Sequence, residues 1–192
     1  PVYTSEAWDD FGYLGLAYGA YRGGTTYRYA NLYSSTYAAM TRIKYGFHLF
    51  LTDSDSGSER IFVARQAGTD VCGISAVRGT MEILAFDGTT DQPIGTGLFA
   101  INETWHHVEV EVNCESGAMT VRFDGAEVVT EMPVTPATAI DNHRIRVVKQ
   151  SDRFNRIDDL IAYDGGYRWL GRATIAKREP DTMTGSGWAA VG

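Results

Sequence analysis

Positive charge is scarce in this chain. The 192 residues include 17 Lys and Arg against 24 Asp and Glu, which gives a formal net charge of −7. A protein that follows the phosphates of a nucleic acid needs a basic patch or stripe, so we expect no nucleic-acid partner. No apolar run approaches the roughly 20 residues that span a bilayer, so we also expect no membrane partner. Residues 1–6 lack the basic and apolar regions of a secretory signal. They fit a complete chain that has lost its initiator Met, with a processed precursor as the alternative.

Cysteine is equally scarce. Cys72 and Cys114 are the two cysteines, too few for the disulfide framework that holds many small secreted domains. A chain of this length buries roughly 70% of the surface that its unfolded form exposes, so its core needs no covalent staple. We expect two free, buried thiols, with a single Cys72–Cys114 disulfide as the alternative.

Sustained helical periodicity is also missing, apart from a turn or two expected in residues 34–42. Short runs rich in β-branched and aromatic residues instead alternate with glycine-containing turns, about every 8–12 residues. The runs are Ile61–Ala64, Val71–Val77, Met81–Phe86, Arg144–Val148, Ile157–Tyr163 and Trp169–Ala176. This spacing is typical of a β-sandwich or barrel. We predict an all-β chain with residues 1–192 in one domain and a loose tail at residues 180–192.

The clearest unit is a three-strand meander at residues 105–129. Its first strand alternates strictly, with valines at every second position on one face and Glu109 and Glu111 on the other. A second alternating strand follows a polar turn, and Asp124-Gly125 supplies a tight turn into the third. The pattern predicts one buried face, formed by the valines, and an opposite face on which Glu109 and Glu111 point into solvent.

Tyrosine is concentrated at the start of the chain. Nine of the eleven tyrosines lie in residues 1–45. Tyrosine favours strands, so ordinary sheet packing is one explanation, but each buried hydroxyl needs a partner and tyrosine is enriched at interfaces. We therefore predict residues 1–45 as a subunit or partner surface, with ordinary sheet packing as the alternative. The candidate interface residues are Tyr18, Tyr21, Tyr27, Tyr29, Tyr33 and Tyr37.

Two segments are candidates for cation binding. Residues 53–59 place oxygen donors at alternate positions around a glycine, as calcium loops do, but they lack the full twelve-residue loop. A polar hairpin tip explains them as well, so we predict no cofactor, with calcium at Asp53, Asp55 and Glu59 as the alternative. Adjacent His106 and His107 point to opposite faces of a strand, so they cannot easily share one metal ion.

Asp159 is an acidic residue inside an apolar strand. If it shares the inner face with Ile157 and Ile161, it is buried, and a buried carboxylate must be hydrogen-bonded or paired. We expect Asp159 to hold a neighbouring loop or an arginine, with a bound cation or ligand as the alternative. No nucleophile elbow, phosphate loop or zinc spacing occurs in the chain.

The ordered motifs of residues 100–192 resemble a known group of folds. The segment WHHV at 105–108, followed by a strand that ends in DG at 124–125, resembles the concanavalin A-like lectin and laminin-G-like jelly rolls. The segment IDDLIAYD at 157–164 is similar to an aspartate strand of the same group. The segment RWLGRATI at 168–175, with a late proline and tryptophan, looks like the version found in tailed-bacteriophage virion proteins.

That resemblance implies a two-sheet antiparallel jelly-roll sandwich and a non-enzymatic virion structural protein. Hydrolases of this class carry a third acid on the strand that holds the pair, whereas the run after Glu111 ends at Asn113, so no catalysis is implied. The expected role is a capsid decoration protein or a head or tail fibre component, assembled in the host cytoplasm. Its partners would be other virion proteins, such as the major capsid or tail protein, and further copies of the same chain in a symmetric homo-oligomer, with the tyrosine-rich start supplying the contact. The alternative is a lectin-like adhesion module that recognises a host-surface glycan. Residues expected to support the fold are Trp105, His107, Asp124, Gly125, Asp159 and Trp169.

Overall fold

The computed structural model describes residues 6–12, 15–19, 28–34, 36–51, 57–78, 82–93, 104–150, 153–166 and 168–169. Within these residues the chain forms thirteen β-strands and no helix, and therefore no helix that is long and apolar enough to cross a membrane. The strands are β1 (Glu6–Gly12), β2 (Gly15–Gly19), β3 (Arg28–Tyr33), β4 (Arg42–Leu51), β5 (Gly57–Gln66), β6 (Thr69–Arg78), β7 (Glu82–Phe86), β8 (Asp91–Pro93), β9 (Trp105–Asn113), β10 (Ala118–Phe123), β11 (Ala126–Pro133), β12 (Asn142–Gln150) and β13 (Arg153–Asp164).

These strands form two antiparallel sheets. Sheet A has the order β1-β2-β13-β4-β9-β10-β11, and sheet B has the order β3-β12-β5-β6-β7-β8. The β12–β13 hairpin pairs Lys149 with Phe154 and connects the two sheets. Sequential hairpins such as β9–β10–β11 supply local pairing, whereas β4 must pair with the distant strands β9 and β13.

The core lies between the sheets and is centred on aromatic side chains. The ring of Phe62 on β5 lies 4.7 Å from Tyr45 and 5.2 Å from Phe47, both on β4. All three are fully buried, and burying each side chain contributes about 1.5–3 kcal/mol. Cys72 is buried in this core and Cys114 lies at its margin, and both thiols are free. The prediction of free thiols is therefore confirmed.

The strand predictions are confirmed wherever the structure describes them, except at Trp169, and the predicted helical turn is wrong. Residues 36–41 contain no helix. Met40 instead forms an isolated antiparallel bridge with Ile140, through N–H···O distances of 2.9 and 2.8 Å. Trp169 lies in no strand, and residues 170–176, predicted to continue a strand from it, lie outside the described residues, as does the predicted tail at 180–192.

The turn at Asp124-Gly125 is tight, as predicted. Both residues have positive φ, 49° and 86°, the combination of a type I′ hairpin turn. The Asp124 carboxylate accepts a hydrogen bond from the backbone N–H of His107 (2.9 Å), and its other oxygen lies 2.6 Å from Nδ1 of His106. Asp124 therefore ties the β10–β11 turn to the start of β9.

Candidate functional site

The outer face of sheet A, opposite the core, carries a row of ionisable side chains that we call the polar face. The antiparallel register places His48 beside His107 and Lys44 beside Glu111, and paired residues project to the same side of a sheet. These four side chains and Glu109 are all buried. Both faces of β4 and β9 are thus withdrawn from water.

This arrangement corrects the prediction that Glu109 and Glu111 face solvent. Their residues are 1% and 8% exposed. Alternation in β9 correctly separates the glutamates from the valines, but it does not reveal that the second face is covered as well. A buried carboxylate is tolerated when it is paired and hydrogen-bonded, and the partners come from neighbouring strands.

Glu111 is held between two cations of β4. Its Oε1 accepts a hydrogen bond from Nε of Arg42, and its Oε2 lies 3.3 Å from Nζ of Lys44. Arg42 and Lys44 have the same spacing of two residues as Glu109 and Glu111, so they project to one side of β4. This matched spacing of opposite charges is the sequence signal that could have indicated the cluster.

Trp169 lies against two cations of the polar face, Lys44 and Arg122. Its ring centroid is 4.7 Å from Nζ of Lys44 and 5.4 Å from the guanidinium carbon of Arg122, both within the range of cation–π attraction. Arg122 also lies 3.6 Å from the carboxylate of Glu109. Trp169, chosen from the sequence as a supporting residue, is therefore part of the polar face.

The tight turn after β13 brings the chain back over β4. The backbone N–H of Gly165 donates to the carbonyl of Arg42 at 3.0 Å, and Gly165 is buried. Three residues separate Gly165 from Trp169. Among the described residues, this hydrogen bond is therefore the main-chain contact with β4 that lies closest in sequence to the indole.

A pocket of about 220 Å³ opens beside Trp169. Strands β9, β10 and β11 form its floor and one wall, and nearly all of its lining side chains are polar. Those that matter most below are Arg42, Glu111, Thr120, Glu127, Glu131 and Trp169. The sequence singled out Glu111 and Trp169 among them but not the β11 glutamates, which sit on an irregular strand.

Two bulges shape the wall that β11 contributes. The register with β10 shifts between Met119 and Val121, and again between Val121 and Arg122. Glu131 adopts a positive φ of 48°, and its backbone N–H donates to Oγ1 of Thr120 at 3.2 Å. Bulges re-aim side chains and are common next to binding sites, and here they lie in the strand that lines the pocket.

The far end of the polar face contains two histidines and two aspartates. Nδ1 of His48 lies 3.4 Å from Oδ2 of Asp159, and the rings of His48 and His107 are 5.1 Å apart. Burial, together with the adjacent Asp158, raises the pKa of Asp159. Among the described residues no group of three or more His, Cys, Asp or Glu side chains is placed to hold a metal ion.

Asp159 does not share the inner face with Ile157. The register between β13 and β4 shifts between Asp158 and Ile161, and Asp159 has a φ of 52°. This bulge breaks the alternation, so Leu160 packs against the core and Asp159 contacts His48. Its partner is thus a histidine of the polar face, whereas the sequence suggested a loop or an arginine.

The residues of the alternative calcium site are only partly described. Asp53 and Asp55 lie outside the described residues. The carboxylate of Glu59 lies 3.2 Å from the guanidinium of Arg146 on β12, so this candidate ligand is engaged in an ion pair within sheet B. The prediction of no cofactor, with calcium at residues 53–59 as the alternative, stays a prediction.

The predicted interface tyrosines occupy different environments. Tyr21 and Tyr27 lie outside the described residues, and only the backbone of Tyr18 and Tyr29 is described. Tyr33 is 55% exposed, with the guanidinium of Arg65 5.0 Å from its ring centroid.

Tyr37 points inward, in contrast to Tyr33. It packs against the core, where its hydroxyl oxygen lies 2.5 Å from that of Tyr45. Tyr33 is thus the exposed candidate among those whose side chains are described, and the interface itself stays a prediction.

Comparisons with known proteins identify the fold rather than a family. No protein-family model matches the chain, and no curated protein matches it significantly. Solved structures do match, and one is a sialidase with a TM-score of 0.60 and 13% identity. That match covers 78% of this chain and 15% of the sialidase chain, so this chain spans less than one sixth of that enzyme.

Three other similar structures match over most of both chains. The carbohydrate recognition domain of Emp46p in its potassium-bound form has a TM-score of 0.55 at 11% identity, covering 84% of this chain and 88% of that one. A SAP-like pentraxin from Limulus polyphemus has a TM-score of 0.53 at 13% identity, covering 76% and 73%. The alginate lyase AlgAT5 of Polysaccharide Lyase family 7 has a TM-score of 0.52 at 15% identity, covering 77% of each chain. These likenesses and the two antiparallel sheets make the chain an all-β jelly-roll sandwich of the concanavalin A-like kind.

Proposed function

We propose that this protein is a non-enzymatic carbohydrate-binding module whose site is the pocket beside Trp169. The observation that carries the proposal is the combination of an indole wall with a polar floor in one cavity. A sugar ring offers C–H groups to an aromatic face and hydroxyl groups to hydrogen-bonding side chains. Ligand sites commonly join an aromatic surface with a few convergent polar groups in this way.

The size of the pocket suits a small ligand. Pockets for drug-sized molecules run from roughly 300 to 1,000 Å³, and this one has about 220 Å³. It therefore fits a single sugar ring, with the rest of a chain extending past the open side. The positions of Thr120 on β10 and Arg42 on β4 provide a hydroxyl and a guanidinium to the lining.

The ion pairs of the two buried glutamates support binding over hydrolysis by this pair. Hydrolysis by paired carboxylates requires one that acts as a proton donor. Glu111 is engaged by Arg42 and Lys44, and Glu109 by Arg122, so both are committed to ion pairs. The similar structures include a carbohydrate recognition domain and two enzymes by name, and they support the fold of a glycan binder without deciding catalysis.

The virion setting comes from the resemblance of residues 100–192 to tailed-bacteriophage proteins and stays a prediction. A glycan-binding module on a capsid, tail or fibre would attach the particle to a host-surface sugar, which joins the two expected roles in one protein. Its copy number and position would be established by labelling the protein in purified particles of its source.

A glycan array followed by calorimetry tests the proposal. We expect saturable binding of at least one glycan, and Trp169→Ala should weaken it by about 2 kcal/mol, roughly 30-fold, as for a buried aromatic anchor. Trp105→Ala is the matched control, because the indole of Trp105 packs against Phe50, away from the pocket. Along β9, Trp105 lies about 20 Å from Glu111, which lines the pocket. Absence of any saturable binding, or equal binding by the Trp169→Ala variant, would refute the proposal.

A further inference from the structure

We infer that the pocket selects sugars that carry a protonated amine over sugars that carry a carboxylate or a sulfate. This inference rests on the proposed function, since it names the ligand class of the same pocket. The cavity and Trp169 define the site, and the charges around them decide its occupant.

The lining contains three carboxylates and one cation. The carboxylates belong to Glu111, Glu127 and Glu131, and the cation is Arg42. Glu111 lies between Arg42 and Lys44, which approach its two oxygens separately. One carboxylate is thus shared by two cations, and these three groups together carry one positive charge.

Glu127 and Glu131 keep their negative charge at the pocket wall. Both are exposed on β11, and no cation of the described residues forms an ion pair with either. Glu127 accepts a hydrogen bond from the hydroxyl of Thr130 at 2.6 Å, which orients the carboxylate without neutralising it. The two bulges of β11 place both residues in the lining.

The other nearby cations belong to the polar face. One of them, Arg122, lies opposite Glu127 in the β10–β11 register, but its ion pair is with Glu109. Lys44 and Arg122 pair with Glu111 and Glu109 and lie against the ring of Trp169. The side chain of Lys44 is 5% exposed. The three cations Arg42, Lys44 and Arg122 face four carboxylates, so one negative charge is left over. The carboxylates that form no ion pair among the described residues, those of Glu127 and Glu131, lie at the β11 wall of the pocket.

The consequence for recognition follows from simple electrostatics. A protonated amine gains charge-assisted hydrogen bonds with such carboxylates, a neutral sugar keeps the stacking contact alone, and an acidic sugar brings like charges together. Exposed ion pairs each contribute about 0.2–1 kcal/mol. Two such contacts give an amine preference of about tenfold.

Two matched series of methyl glycosides test this selectivity by calorimetry on the intact protein. One series has the glucose configuration and one the galactose configuration, each with an amino, a neutral and a uronic acid member. We expect the amino sugar to bind about tenfold more tightly than the neutral one and the uronic acid most weakly. The preference should shrink in 1 M salt, where the screening length falls to about 3 Å.

Neutralising the two glutamates identifies the source of the preference. Glu131→Gln should reduce the preference about threefold, and Glu127→Gln with Glu131→Gln should bring the ratio of amino-sugar to neutral-sugar affinity to about one. Glu82→Gln is the control, because it removes the same charge from β7 of sheet B, outside the pocket lining. Neutral binding that depends on Trp169, combined with equal or tighter binding of the uronic acid, would overturn the inference and leave the proposed function standing. No binding on the glycan array and none in either glycoside series would refute both the inference and the proposed function.

Discussion

Replacing Gly165 by alanine should displace the chain that carries Trp169. A Cβ at Gly165 would lie 2.9 Å from the carbonyl carbon of Arg42 and 3.0 Å from the backbone nitrogen of Ile43, and it would also meet the Arg42 side chain. Two of these contacts are with the backbone of β4, which is paired on both sides and cannot give way. The turn itself must therefore move.

The size of the effect follows from two terms. Overpacking a close contact costs about 1–3 kcal/mol, and moving the turn weakens the hydrogen bond from Gly165 to Arg42, worth about 1 kcal/mol. We expect Gly165→Ala to lower the free energy of unfolding by about 2–3 kcal/mol. With a urea dependence of about 2 kcal/mol per M, the unfolding midpoint falls by at least about 1 M. Sugar binding should weaken in the same variant, since the indole loses its position.

Gly166→Ala is the matched control one residue away. Its Cβ would approach a carboxylate oxygen of Asp164 at 3.2 Å, and this exposed oxygen also accepts a hydrogen bond from the Gly166 N–H at 2.8 Å. A shift of a few tenths of an ångström in the flexible Asp164 side chain relieves the approach and keeps that hydrogen bond. We expect a change below about 0.5 kcal/mol, as for most surface substitutions. Urea unfolding followed by circular dichroism compares the two variants. Equal midpoints would refute the reasoning that the turn is pressed against β4.

Two further outcomes can be measured in the same way. Asp124→Ala should lower the free energy of unfolding by about 2–3 kcal/mol, because it removes a carboxylate that accepts from His107 and places alanine at positive φ. Asp124→Asn should cost about half as much, because asparagine tolerates positive φ and its amide oxygen can still accept from His107. Equal losses in the two variants would contradict this explanation. Burial raises the pKa of Tyr37 to about 12, so the folded state keeps a proton that the unfolded state loses near pH 10. Stability should therefore fall as the pH rises from about 10 towards 12, and Tyr37→Phe should reduce that fall; an undiminished fall in this variant would contradict the assignment.

The β-sandwich can be predicted from the sequence because the patterns that specify its strands and turns are local. Alternation in β9 and the Asp124-Gly125 turn specify a hairpin without reference to the rest of the chain. The same alternation separates two faces, but it does not reveal whether each face is covered. Glu109 and Glu111 were therefore assigned to the correct face of β9 and to the wrong environment.

The pocket could not be predicted from the sequence, for two physical reasons. Its ion pairs depend on the register of β4 against β9, strands that lie more than fifty residues apart in the chain and pair as Lys44 with Glu111. The bulges of β11 and β13 shift the phase of the alternation without a glycine or proline to mark them, so Glu131 and Asp159 are misplaced by any strict period of two. Trp169 lies outside the described strands, and only the turn at Gly165 explains where it goes.

The irregularity of β11 also affects the edge of the sheet. This strand ends the order of sheet A among the described strands, and a flat terminal strand invites another chain to extend the sheet. The positive φ of Glu131 and the proline at position 133 interrupt that row of backbone donors and acceptors. Deleting Glu131 would straighten the strand, flatten the pocket and leave an edge that another chain could extend, so the shape of the pocket and the protection of this edge depend on the same backbone distortion.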